Sequence, residues 1–212
     1  VWENSAGPSA TGEGMKIAII DSGIDITNPL FSDAGYTAPA GFPRSNHSNH
    51  VLTNNKVIVA KSFVSGNTSA QDENGHGSNV AGIAAGNAGT LSPLAVLSGV
   101  AHRAYLGNYR VLDEGGGGFE DLVALGLEEA AADGFDVINL SLGGPANDTL
   151  GLLEDVVETV VNVNGKIVVL SAGNEGNGGD DDEMTVGSPG ISPSAITVAA
   201  ASNAHIVGPV IT

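Results

Sequence analysis

Short, unbroken apolar runs alternate along this chain with segments of helical length. The runs are 17–21 (IAIID), 57–63 (VIVAKSF), 109–112 (YRVL), 137–140 (VINL), 167–170 (IVVL) and 196–200 (ITVAA). None of the purest, such as IVVL, alternates apolar with polar residues. A strand with one wet face would do so, and a strand buried on both faces need not. Between them, 75–85 carries small and apolar residues suited to a tightly packed helix. Residues 120–133 place Leu122, Leu125 and Ala130 at helical spacing before Gly134, and 149–162 is amphipathic and ends at Asn164-Gly165. Strands alternating with such helices predict an α/β fold. Its sheet is doubly wound and mostly parallel, with helices on both faces. Residues 26–55 read as polar loop, and 1–15 as an irregular lead-in.

Composition narrows the function. The 212 residues hold 7 Lys and Arg against 24 Asp and Glu, a net charge of −17. That charge repels phosphate backbones and anionic membranes, and 9 aromatic residues give little stacking surface, so neither nucleic acid nor membrane is expected as a partner. There is no cysteine, which excludes disulfides, a thiolate nucleophile and Cys-ligated metals. No apolar run approaches the length of a membrane span.

Ligands of a doubly wound sheet bind beyond the carboxyl ends of its strands. Three polar residues fall there: Asp21 in IAIIDSGID, His76 in DENGHGSNVAG and Asn174 in LSAGNEG. Singly, each reads as a turn or helix-start residue. Together they are flanked by glycines (Gly23, Gly75, Gly77, Gly173, Gly176) that let backbone come close and leave a polar side chain open.

These segments, with GVAHRAYLGNYRVLDEGGGG and VINLSLGGP, resemble the subtilisin-like serine peptidases, the subtilases, in order along nearly the whole chain. The resemblance implies an endopeptidase acting on protein or peptide substrates. Asp21 would be the triad acid, His76 the general base and Asn174 the oxyanion-hole side chain. It also implies a substrate-aligning segment at Ser141, Leu142 and Gly143, continued by Ala172 and Gly173. Gly115, Gly116, Gly117 and Gly118 would be an opposing edge to which a peptide adds as a strand. Secretion and a propeptide in the parent protein follow from the same likeness.

The family's Gly-Thr-Ser nucleophile motif is absent. Gly89-Thr90-Leu91-Ser92 lies between His76 and Asn174, in the wrong order for a subtilase serine. Residues 1–212 are therefore expected to be the N-terminal part of one such domain. The serine segment would lie beyond residue 212, in some relatives after an inserted protease-associated domain, and the fragment alone would be inactive. The alternative is a non-catalytic peptide-binding or scaffold relative. A dinucleotide-binding reading would need G-x-G-x-x-G after the first strand, and DSGIDI does not supply it. No metal site is expected and no cofactor is required. Calcium is common in the family, but the run Asp180, Asp181, Asp182 and Glu183 reads most simply as a solvated loop. His47 and His50 read as loop. The His motif is HGSN where the family has HGTH, and Asp72 fits the family pattern without an evident role.

Overall fold

The computed structural model describes residues 10–46, 52–145, 151–174 and 185–201. In chain order its strands and α-helices are β1 (Lys16–Asp21), β2 (Arg44–Ser45), β3 (Val57–Ser62), α1 (His76–Ala85), β4 (Thr90–Leu91), β5 (Val96–Leu97), β6 (Tyr105–Arg110), α2 (Glu120–Ala132), β7 (Val137–Leu140), α3 (Leu152–Asn162), β8 (Ile167–Ser171) and β9 (Ile196–Val198). Seven strands form one sheet in the order β2-β3-β6-β1-β7-β8-β9, and every pairing in it is parallel. β4 and β5 form a separate antiparallel ribbon. Among the described residues, no helix is long and apolar enough to cross a membrane.

Alternate residues of β1 feed two cores. Ala18 and Ile20 pack with α2 and α3 through Val123, Leu127, Ala130, Leu153, Val157 and Val160. Ile19 packs on the other face with Ala81 and Ala85 of α1. The three crossovers β3-α1-β6, β6-α2-β7 and β7-α3-β8 all step in one direction across the sheet. Because α1 lies on the face opposite α2 and α3, its crossover has the opposite hand. Roughly 98% of such connections are right-handed, so the helix beginning with His76 belongs to an unusual unit.

β6 starts at Tyr105 rather than at residue 109, because Gly107, Asn108 and Arg110 hide it in the apolar pattern. Asn108 and Arg110 are each only 1% exposed. Asn108 Nδ2 donates to the carbonyl of Ala70, and Arg110 donates to the carbonyls of Ser69, Gln71 and Leu112 and to Glu73. These buried polar side chains hold the loop that leads into α1.

On α2 the inward stripe is Val123, Gly126, Leu127 and Ala130, while Leu125 is exposed and Leu122 only partly buried. Small size decides this face: a Cβ on Gly126 would come within 2.8 Å of Val111 Cγ1. The start of the third helix at residues 149–150 lies outside the described residues. The region 26–55 contributes a 3-10 turn at Pro29–Phe31 and the edge strand β2.

Lys56 is fully buried, its Nζ donating to the Tyr36 hydroxyl and to the carbonyls of His102 and Ala104, each at 2.9 Å. Burial, and to a lesser degree the nearby Arg103, lowers its pKa to about 7 from 10.5. Between those values the folded chain gives up the Nζ proton, and with it one of the three donated bonds, while the unfolded chain keeps it. Stability therefore falls as pH drops from about 10 to about 7. Replacing Lys56 by Met should flatten that part of the curve, as read by denaturant unfolding at the two ends of the window.

Gly77, in the first turn of α1, meets the end of β1 with no space between them. A Cβ there would lie 2.2 Å from Gly23 O and 3.2 Å from Asp21 Cβ. Gly77→Ala should cost about 1–3 kcal/mol and lower the melting temperature. Gly144→Ala, whose added Cβ has nothing within 4 Å, should stay within about 0.5 kcal/mol of the parent chain.

Candidate active site

β1 ends in Asp21, 1% exposed, and α1 begins at His76, whose side chain is 48% exposed. His76 Nδ1 lies 2.8 Å from Asp21 Oδ1 and 3.0 Å from Oδ2. Burial raises the Asp21 pKa. The bond from His76 and the Ser22 amide, 2.7 Å from Oδ1, work against that rise, and the charge of Asp72 adds to it. A carboxylate only accepts, so Nδ1 carries the hydrogen of this pair and Nε2 is the basic atom. A half-exposed imidazole oriented by a buried carboxylate can take a proton from a hydroxyl placed at Nε2.

A cavity of about 780 Å³ opens beside His76. Its walls come from the carboxyl ends of β7 and β8, as the topology requires. Of the expected residues, His76, Gly116, Gly118, Ser141, Leu142, Gly143, Gly173 and Asn174 line it. Asp21 stands behind His76. Ala172 does not line the cavity: its N–H donates to Val198 O and its carbonyl accepts from Gly187 N. The segment at 141–144 is set by Asn139 Nδ2 on Ser141 Oγ and by Ser171 Oγ on Leu142 O. It is also held by a two-way backbone bridge between Gly144 and Ser188.

The glycine run differs from a free strand edge. The amides of Gly115 and Gly117 both donate to Asp113 Oδ1 at 2.9 Å, Gly116 N donates to Asp113 O, and Asp113 N donates to Gly117 O. A short carboxylate thus folds the run into a turn. Gly116 and Gly118 face the cavity and Gly115 and Gly117 do not.

Other cavity residues were not anticipated, among them Glu120, Glu154 and Ser188. Glu154 is 2% exposed; its Oε2 accepts from Gly151 N at 2.7 Å and its Oε1 from Ser188 Oγ. The signal was a glutamate three residues after the residue preceding the helix. This is half of a capping box, since Gly151 has no side chain to return the bond. Ser188 carries no local signal, because only the fold brings it there. Ser92 sits on the β4–β5 ribbon, where its Oγ bonds to Ala95 O. The acidic run 180–183, His47, His50 and Gly176 lie outside the described residues. Among the described residues no three acidic, His or Cys side chains converge as a metal site.

The profile of the subtilase family matches residues 12–208. Subtilisin from Bacillus pumilus is 35% identical over 196 residues, covering 92% of this chain and 59% of that protein. The minor extracellular protease Vpr of Bacillus subtilis (strain 168) is 36% identical over 191 residues, 90% of this chain and 21% of its own length. Among solved structures, sphericase aligns with a TM-score of 0.67 at 31% identity, covering 94% of this chain and 58% of that one. The chain thus spans about half the length of the curated subtilisins it matches. Its sheet, its cavity at the strand ends and its sequence agree: the chain belongs to the subtilase family.

Proposed function

We propose that this chain carries the acid and base of a secreted serine endopeptidase, with Asp21 and His76 in those roles and Asn174 as the oxyanion donor. The observation that carries the reading is the bond of His76 Nδ1 to the buried Asp21, made at the edge of a cavity that Asn174 also lines. The nucleophile is a serine from beyond residue 212, in keeping with the subtilase order Asp, His, Ser. One structural feature favours an added segment. On the α1 face, the outer half of the sheet leaves Ile167, Ile196 and Val198 at 50%, 55% and 54% exposed, while Val168 and Leu170 of β8 are buried on the opposite face. The 212-residue chain alone is inactive on this reading, because its base has no hydroxyl to activate.

The substrate is a protein or peptide, laid between the Ser141–Gly143 segment and the Gly118 side of the glycine turn. Main-chain pairing there would give broad sequence tolerance, with preference set by the cavity. The relative whose name calls it extracellular and the subtilisin likeness favour a location outside the cell.

The test is kinetic, on the parent protein extended to include the serine segment. His76→Ala should lower kcat by on the order of 10⁴-fold or more, because the hydroxyl loses its base. Asn174→Ala should lower kcat roughly a hundredfold with little change in KM, since its bond strengthens as charge develops. Should Asn174→Ala instead raise KM alone, the oxyanion role is wrong. Asp113→Ala should act mainly on KM by releasing the glycine turn.

A further inference from the structure

The first turn of α1 is anchored by side chains from outside the helix. An α-helix begins with amides that have no partner within it. Here the residue before the helix, Gly75, has no side chain to supply one, and its φ is +98°. Four donors are nevertheless satisfied. Gly75 N donates to Asp72 Oδ1 at 2.8 Å, His76 N to Asn74 Oδ1 at 3.3 Å, Gly77 N to Ser22 Oγ at 2.9 Å and Ser78 N to Asp72 Oδ2 at 2.9 Å. Asn74 N also donates to Asp72 Oδ1. Ser22 Oγ, fully buried and next to Asp21, donates to Asp72 Oδ1 at 2.9 Å, closing the ring. One carboxylate therefore ties the approach loop, the helix start and the end of β1 together.

We propose that Asp72 is a positioning residue: through Ser22 it clamps the first turn of α1 to the end of β1, which holds the His76 ring on Asp21, and its negative charge offsets the helix N-terminus where His76 must become cationic. The inference rests on the reading of Asp21 and His76 as acid and base. The positive end of a helix disfavours a cation on its first residue. Asp72 counters that without touching the imidazole. The ring of hydrogen bonds around it holds its pKa below the ordinary carboxylate value although its burial pushes the other way. The other charged groups near this end of the sheet are Asp21, Asp25, Asp113, Glu114, the Glu73–Arg110 pair and, across the cavity, Glu120 and Glu154. Arg110 is bound to Glu73 at 2.8 Å, and Asp25 to Thr27.

The test uses the 212-residue chain and needs no catalysis. Carbon-13 NMR follows the Asp21 carboxyl through a pH titration, and nitrogen-15 NMR follows the His76 Nδ1 proton. In Asp72→Asn the Nδ1 proton should lose protection from exchange, and the Asp21 midpoint should lie below that of Ser22→Ala, because a neighbouring negative charge is gone. In Ser22→Ala the charge remains, so the midpoint should move up, because the His76 bond that lowers it is weakened, while the Nδ1 proton is again exposed. A purely structural role predicts a lower melting temperature with both NMR readings unchanged, and that result would overturn the proposal. Should Asp72→Asn not fold, Ser22→Ala decides alone: an Nδ1 proton as protected as in the parent chain excludes the clamp. An extended protein that lacks peptidase activity while both NMR changes are seen would count against the functional reading and leave the clamp intact.

Discussion

The contact on which the site depends is the seating of α1 on the end of β1, where neither backbone leaves room for a methyl group. Gly77 approaches Gly23 O closely, and Gly23 itself takes a φ of +123° with Asp72 backbone 2.8 Å from where its Cβ would be. This nearness lets a strand-end carboxylate reach the first side chain of the helix. Any side chain at either glycine would wedge the elements apart, and the 2.8 Å bond between His76 and Asp21 would lengthen with them. Gly23 and Gly77 are thus steric conditions for the His76–Asp21 hydrogen bond.

Buried polar groups in β6 extend that constraint backwards along the chain. Asn108 and Arg110 sit in a strand whose neighbours are apolar, and a buried donor left unmatched is costly. Both point their donors at the backbone of residues 69–71, and Arg110 also at Glu73. The loop carrying Asp72 is consequently held against the sheet before the helix starts. A strand core that was wholly apolar would leave the carbonyls of Ser69, Ala70 and Gln71 without these donors.

What could be read from sequence followed from local signals. The runs at 17–21, 57–63 and 167–170 are strands because their apolar residues have no other place to go, and Gly134 and Gly165 end helices in the left-handed conformation. The meeting of Asp21 and His76 was legible because strand-end and helix-start positions converge in a parallel sheet. β6 was misplaced because its polar residues serve loops that are distant in sequence. The inner face of α2 was misjudged because close approach to Val111 favours Gly126 over the larger Leu125. The glycine turn was read as an open edge because nothing local announces that Asp113 would take two of its amides.

The opposite hand of the β3-α1-β6 crossover has a consequence for how the site is divided. Had α1 packed on the same face as α2 and α3, His76, the cavity and the helix starts of α2 and α3 would compete for one side of the sheet. Instead Ile19 and Ala81 anchor α1 on one face, and Ala18 and Ile20 lie under α2 on the other. The imidazole reaches the strand ends from the α1 side, while Glu120, Leu153 and Glu154, from the starts of α2 and α3, line the cavity from the opposite side. The β-strand period of two puts adjacent residues on opposite faces. One strand can therefore carry Asp21 at its end while supporting both sides of the cavity region along its length. Substitutions in the part of the wall built by α2 and α3 can then alter what the cavity accepts without disturbing the seat of His76, because α1 packs against the other side of β1.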